Sequence, residues 1–176
     1  PAAYSKDNVP YKPANWAPVS LEGYKDKDFA MTIGYPGSTN RYLSSYGIQQ
    51  RRDINNAVQV QARGIKLAIL KRYMDKSEKT RIQYEDKYVG AANYWKNSMG
   101  MNKCIDSIGL IRQKAEYEAK IQGWLDEKKV KDPSVDVDFA KLSRLYKESN
   151  EPALVQAYWR ESFWKVSEFI QRAFDI

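Results

Sequence analysis

The stretch FAMTIGYPGSTNRYLSSYGI, residues 29–48, decides how this chain is organised. It begins with the alternating, β-branched pattern of a strand, turns at Pro36-Gly37, and then runs through hydroxyl and aromatic residues. Proline followed by glycine supplies the fixed φ and then the positive φ that a type II turn requires. The stretch therefore predicts a strand over residues 29–35, a tight turn, and then the start of a helical region.

The segment before this stretch is predicted to be extended or irregular. Four of its residues are prolines, each of which removes an amide donor and favours extended geometry in the preceding residue; they are Pro1, Pro10, Pro13 and Pro18. Val19–Leu21 is predicted as a second short strand. Two strands are marginal on their own, so we expect their partners in another part of a longer parent or in another chain. The start at Pro1 without an initiator methionine leads to the same expectation.

Beyond Gly47 the apolar period changes from two to 3.6 and predicts helices. The first runs over about residues 49–75, and a second stretch over 78–127 is expected to break at Gly90, Gly100 or Gly109. A shorter helix over about 136–148 precedes a last helix, with Asn150 as its N-cap and Pro152 in its first turn. The fold class predicted from these patterns is mainly α, preceded by a short β segment.

Each predicted helix has an apolar face that we expect to be buried. On the first it comprises Ile54, Val58, Ala62, Ile65, Ile69 and Tyr73. On the second it comprises Tyr88, Ala92, Trp95, Met99, Ile108, Ile111, Ala115 and Ala119. The shorter helix is expected to bury Phe139, Leu142 and Leu145, and the last helix Val155, Tyr158, Trp159, Val166, Phe169, Ile170 and Ala173.

Composition excludes several kinds of chemistry. The 176 residues, 43% of them apolar, suffice for one domain with a sizeable core. With no histidine, the chain alone cannot build a Ser-His-Asp or Cys-His site. Its single cysteine, Cys104, cannot form an intrachain disulfide or a zinc cluster and is expected to be a small buried hydrophobe. No metal and no cofactor are expected. No apolar run approaches the roughly 18 residues of a membrane span.

The net charge of +7 is concentrated in the middle of the chain. Residues 47–132 carry 18 basic and 11 acidic residues. Such a surplus attracts polyanions, which leaves a stand-alone basic helical module for nucleic acid or a protein partner as an alternative function. The bases alternate with acids at helical spacing, which is more typical of a solvated helix face.

The strongest candidate site lies in NYWKNSMGMNK, residues 93–103. Asn93, Asn97 and Gly100 share one helix face, with Gly90 just before. Two glycines inside a helix cost roughly 1 kcal/mol each relative to alanine, so close approach to the backbone is expected there. A groove packed by another helix and a ligand site lined by amides explain the pattern equally well.

Other motifs carry less chemistry. Residues 34–40, GYPGSTN, lack the second glycine followed by lysine and a hydroxyl that a phosphate loop needs. Ser38 has no base in the chain to activate it. The acid pairs Glu116 with Glu118 and Asp136 with Asp138 are two residues apart, and are predicted to be solvated surface or helix starts.

Three passages of the chain resemble the bacterial dipeptidyl-peptidase 7 and 11 family of serine exopeptidases. They are YSKDNVPYKP at residues 4–13, GYPGSTNRYLSSYGI at 34–48 and NYWKNSMGMNK at 93–103, and with the intervening helices they span essentially the whole chain. Members often have phenylalanine at the position of Tyr35. Cleavage preferences of the two family branches cannot be told apart from these passages.

The resemblance implies a chymotrypsin-like double barrel with an inserted helical cap. Residues 1–46 would end the first barrel, and residues 47–176 would form an incomplete part of the cap. It also implies that the catalytic His, Asp and Ser lie outside this chain, which alone should be inactive. By resemblance, Asn93 binds the α-ammonium of a peptide with a free N-terminus, and Asn97 is a weaker second candidate. A periplasmic or secreted homodimer that binds no nucleic acid is implied as well.

Overall fold

A computed structural model of the chain describes residues 5–29, 31, 34, 37–129, 132, 138–165, 170, 172 and 173. The chain divides into two compact units, Pro1–Thr39 and Asn40–Ile176. Most of the described residues of the second unit are helical, so the prediction of a mainly α fold is confirmed.

The described residues of the first unit form turns rather than strands. One turn is closed by Asp28 N–H, which donates to the Lys25 carbonyl at 3.1 Å, while Lys25 N–H donates to the Asp28 carboxylate at 2.7 Å. The strand predicted at Val19–Leu21 is not shown: these residues are exposed and pair with no strand among the described residues. Most of the strand predicted over residues 29–35, and Pro36 of the predicted turn, lie outside the described residues.

The second unit begins with one long helical run that contains a π-helical turn. Helix α1 spans Ser45–Gln50, a π-helical segment, π1, spans Arg51–Asn56, and α2 spans Ala57–Met74. The Ser44 hydroxyl caps α1 by accepting from Gly47 N–H at 3.1 Å, which satisfies one of the free donors of the first turn. The helix predicted over residues 49–75 is thus confirmed, with an earlier start.

Helices α2 and α3 form an antiparallel pair, which is the main helix–helix contact of the unit. Helix α3 spans Glu78–Ser107, and α4 spans Leu110–Lys129. The break between them falls at Gly109, whose φ of +60° is the left-handed conformation that glycine adopts without strain. Of the three predicted break points this one is confirmed, and Gly90 and Gly100 lie inside α3.

The C-terminal helices are continuous where the sequence predicted a break. Helix α5 spans Phe139–Tyr158 and leads into a second π-helical segment, π2, at Trp159–Trp164. Asp138 caps α5 by accepting from Ala140 and Lys141 N–H, whereas the prediction that Asn150 caps a separate helix is wrong. Pro152 lies inside α5, on an exposed position where the lost hydrogen bond can be replaced by water.

The buried positions differ from the predicted apolar faces. Among the described residues, the buried apolar side chains are Ile48, Val58, Leu67, Met74, Ala91, Ile105, Leu125 and Ala157. Predicted core residues that are instead exposed are Ile65, Ile69, Tyr73, Met99, Ile108, Ala115, Ala119, Leu145, Val155, Tyr158, Trp159 and Ala173. The reason is tertiary: α2 packs mainly on α3, and the residues of α2 that are buried in the folded unit are Val58, Leu67 and Met74. Val166 and Phe169 lie outside the described residues.

Cys104 is also exposed, so the prediction that it is a buried hydrophobe is wrong. It directly precedes Ile105, which is one of the buried residues of α3. Helical geometry decides this, since residues one position from a buried residue are rotated by about 100°.

Candidate functional site

The two predicted site residues lie together on the outer face of α3. Asn93 and Asn97 are one turn apart, and both are exposed. Neither amide hydrogen-bonds to another residue in the described part of the chain. A primary amide has two donor hydrogens and an acceptor oxygen, so both side chains are available to a ligand.

The glycines that bracket these amides, Gly90 and Gly100, lie on the same face of α3 and have free space beside them. A methyl group added at Gly90 or Gly100 would meet no atom within 4 Å. Within the described residues no helix packs into this groove, so the helix-packing interpretation finds no partner there. The ligand-site interpretation stays a prediction.

The opposite face of α3 holds the helix in place. Ala91, Ser98 and Ile105 recur every seven residues and are buried. They lie roughly 120–160° around the helix axis from Asn93, given 100° per residue. Helix α3 therefore uses one face for packing and presents Asn93 on the other.

Three contacts join α2 to the turn of α3 that carries the two asparagines. The Arg63 guanidinium lies over the Tyr94 ring, 4.6 Å from its centroid. A Cβ at Gly64 would lie 3.3 Å from Nε1 of Trp95, which shows how closely the two helices approach. The Ser98 hydroxyl donates to Oε1 of Gln59 at 2.5 Å. These contacts fall at positions 94, 95 and 98, between and beside Asn93 and Asn97.

A buried carboxylate from π2 anchors the α2 side of these contacts. Glu161 is 2% exposed; it accepts from Nε of Arg63 at 2.8 Å and from Nε2 of Gln59 at 3.1 Å. Burial alone would raise the pKa of this carboxyl, but the hydrogen bond and charge of Arg63, with smaller contributions from Gln59 and Arg160, lower it below its ordinary value. Glu161 is therefore ionised at neutral pH and paired.

A second polar cluster connects π1 to the C-terminal half of α3. Asn56, which is buried, donates to Oδ1 of Asn102 at 2.7 Å, and Asn102 donates to the Arg52 carbonyl at 3.2 Å. Arg52 also pairs with Asp106 at 2.8 Å, and its hydrogen bonds to Asp53 and Asp106 raise its pKa. A π-helical turn displaces backbone carbonyls from the regular hydrogen-bond ladder. Here the Asn102 side chain of α3 donates to one of these carbonyls, that of Arg52.

Glu118 corrects one of the surface predictions. It is 7% exposed and accepts from both the backbone N–H and the hydroxyl of Ser45, at 2.6 and 2.5 Å. This carboxylate of α4 thus caps the start of α1 from a distant part of the chain. Its neighbour Glu116 is on the surface and Asp138 is a helix start, as predicted; Asp136 lies outside the described residues.

The described residues contain no group of three His, Cys, Asp or Glu side chains placed to hold a metal ion. Over the same residues, no helix combines the length and the apolar character that crossing a membrane requires.

The sequence patterns did not reveal the residues that anchor α3. Gln59, Arg63 and Glu161 lie on two elements about 100 positions apart in the chain, and no local period links them. One signal was present: Glu161 is a single acid in the aromatic run WRESFW, residues 159–164, where a buried carboxylate needs a cationic partner.

The Peptidase S46 family profile matches residues 1–176, and the chain belongs to this family of peptidases. The relatives it matches are dipeptidyl-peptidases. It is 39% identical over 182 residues to dipeptidyl-peptidase 7 of Porphyromonas endodontalis, covering 100% of this chain and 21% of that protein.

Other relatives are named as Asp/Glu-specific dipeptidyl-peptidases. The chain is 39% identical over 176 residues to the Asp/Glu-specific dipeptidyl-peptidase of Capnocytophaga gingivalis, covering 100% of this chain and 24% of the relative. The crystal structure of Porphyromonas endodontalis DPP11 in complex with the dipeptide Arg-Glu matches with a TM-score of 0.67 and 28% identity, over 94% of this chain and 23% of that one. The chain therefore spans about a quarter of the length of these relatives.

Proposed function

We propose that this chain is the helical substrate-capping part of a serine dipeptidyl-peptidase that releases dipeptides from free N-termini. In this proposal residues 1–46 end the first barrel, and residues 47–176 belong to the cap. Membership of the Peptidase S46 family supports a peptidase over a stand-alone basic binding module. The absence of histidine from the sequence supports the proposal that the chain is inactive without the rest of the enzyme.

The observation that carries the proposal is the exposed amide of Asn93 on α3, which has no hydrogen-bond partner among the described residues. Its carbonyl oxygen accepts a hydrogen bond from an ammonium group without any change of protonation. Because the helix holds this acceptor at a fixed place, the acceptor sets the distance between the bound α-ammonium and the peptide bond that is cut. We propose that Asn93 binds the substrate amine in this way and that Asn97 supports it one turn further on.

The remaining parts of the proposal concern the whole enzyme. The barrel halves supply the catalytic His, Asp and Ser, the enzyme acts in the periplasm or outside the cell, and it forms a homodimer. A neighbour of known structure is described with a bound dipeptide, which supports a peptide substrate here.

The test compares variants of Asn93 in the full-length peptidase that carries this chain. Asn93→Ala and Asn93→Leu remove the acceptor. Each should reduce kcat/KM by a factor that corresponds to a loss of roughly 1.5–3 kcal/mol in transition-state stabilisation, the scale of a hydrogen bond to a charged group. Asn93→Asp keeps an acceptor of the same length and should retain most of the activity.

Binding of a free dipeptide and of its N-acetylated form, measured by calorimetry, makes the test specific. Asn93→Ala should weaken binding of the free-amine dipeptide and leave binding of the acetylated dipeptide unchanged. Asn150→Ala, which alters another exposed helical asparagine on α5, serves as the control and should change neither. Equal losses for both dipeptides in Asn93→Ala would show that Asn93 does not contact the amine.

A further inference from the structure

Glu161 holds two residues that each contact the site turn of α3. Its carboxylate accepts from Gln59 and from Arg63. Gln59 in turn accepts from Ser98, and Arg63 covers the ring of Tyr94. A single side chain from π2 thus connects, through α2, to positions on both sides of Asn97.

The position of this cluster distinguishes it from ordinary core packing. Ser98 is 1% exposed, so its hydroxyl needs a partner inside the protein, and Gln59 provides it. A different rotation or axial shift of α3 would separate Ser98 from Gln59, and Tyr94 from Arg63, together. The cluster therefore selects one register of α3 against α2, which apolar contacts between small residues would select only weakly.

We propose that Glu161 is a positioning residue for the amine-binding face: through Gln59 and Arg63 it fixes the rotation and register of the α3 turn that carries Asn93 and Asn97. This inference rests on the proposed function, since it assumes that Asn93 contacts the substrate. Glu161 itself lies on the buried side of the bundle and has no role in contacting the peptide.

The test is a double-mutant cycle in the full-length peptidase, with a dipeptidyl substrate that has a free N-terminus. Glu161→Gln keeps the shape of the side chain and removes its charge. It should raise KM about five- to thirtyfold, within the usual range for coupled neighbours, with a smaller change in kcat. In the Asn93→Ala background the same substitution should change KM less than about twofold, because the contact that it positions is already absent.

Glu118→Gln is the matched control, because Glu118 is a buried, doubly hydrogen-bonded carboxylate of the same unit with no contact to the site turn. It should leave KM near the wild-type value and should show the same effect with and without Asn93. A general loss of folding would change KM alike in Glu161→Gln and Glu118→Gln.

Ser98→Ala provides a second, milder variant that removes one hydroxyl and keeps the ion pair. It should raise KM about two- to fivefold and show the same coupling to Asn93→Ala. Additive effects of Glu161→Gln and Asn93→Ala would overturn the positioning role while leaving the proposed function intact. An unchanged kcat/KM in Asn93→Ala alone would overturn both.

Discussion

Glu118 and Ser45, 73 positions apart, are joined by two short hydrogen bonds, from the Ser45 N–H and hydroxyl to the two carboxylate oxygens, at 2.6 and 2.5 Å. The backbone donor belongs to the first turn of α1, where an N–H has no intrahelical partner. A negative charge at this end also interacts favourably with the helix dipole. The pair therefore fixes the point at which the helical unit begins.

Removing this carboxylate should destabilise α1. Glu118→Ala leaves a buried donor unsatisfied and should cost about 1.5–3 kcal/mol, whereas Ser45→Ala keeps the backbone hydrogen bond and should cost about 1 kcal/mol. Hydrogen exchange of the α1 amides in the full-length protein measures the effect locally. Glu116→Ala, on the exposed face of α4, should leave this exchange unchanged. Equal exchange in Glu118→Ala and wild type would contradict the capping role.

Gly47 is required by the close approach of α5. A Cβ at this position would lie 2.7 Å from Oη of Tyr146, and the Tyr146 ring also packs on Tyr46 at a centroid distance of 6.5 Å. Gly47→Ala should therefore destabilise the protein by about 1–3 kcal/mol through overpacking, measured by chemical unfolding. Adding Tyr146→Phe removes the contacting hydroxyl and should recover part of the loss. An unaltered stability in the single variant would refute this account.

The glycines beside Asn93 should separate stability from function. Gly90→Ala and Gly100→Ala meet no neighbouring atom and should each stabilise α3 by roughly 0.5–1 kcal/mol. If this face receives the substrate or an adjoining part of the enzyme closely, the added methyl groups should also raise KM. Thermal unfolding and steady-state kinetics measure the two effects.

Gly123→Ala on α4 is the control for these glycines, because it also adds a methyl group into open space. It should raise stability and leave KM unchanged. Activity that stays the same in all three variants would argue that the face beside Asn93 remains open to solvent.

The pairing of Glu161 predicts a pH dependence of stability. Its pKa is lower in the folded protein than the ordinary value of 4.5, so the unfolded chain takes up a proton first as the pH falls. The stabilisation is complete above pH 4.5 and decreases below it, toward the lower pKa of the folded state. Wild type and Glu161→Gln should therefore differ in stability at pH 7 and converge as the pH falls.

Denaturant unfolding of the full-length protein at pH 7 and at several values below 4.5 measures this convergence. Glu148 forms an exposed pair with Arg144, and such pairs contribute little to stability. The stability of Glu148→Gln should therefore change with pH in parallel with that of the wild type. A constant gap between wild type and Glu161→Gln would show that the Arg63 pair does not depend on the ionised carboxyl.

Local sequence signals determined the elements that depend on local physics. The change of apolar period after Gly47 predicted the helical unit, because side chains on one face recur every 3.6 residues. Gly109 ended α3 because the left-handed conformation there suits glycine. The run of amides and glycines at residues 90–100 led to the prediction of a site at Asn93, since glycine inside a helix costs stability; Asn93 and Asn97 are exposed in the structure.

The tertiary structure decided which faces are buried and what holds the site. The sequence placed Ile65 and Ile69 in the core and left Glu118 on the surface, but packing of α2 on α3, and of α4 beside α1, reversed both. Asn150 lost its predicted capping role because α5 continues past it from Asp138. Only the folding of distant segments brings together Glu161, Gln59 and Ser98. Because these residues are so far apart in the chain, no periodic sequence pattern predicts their contact.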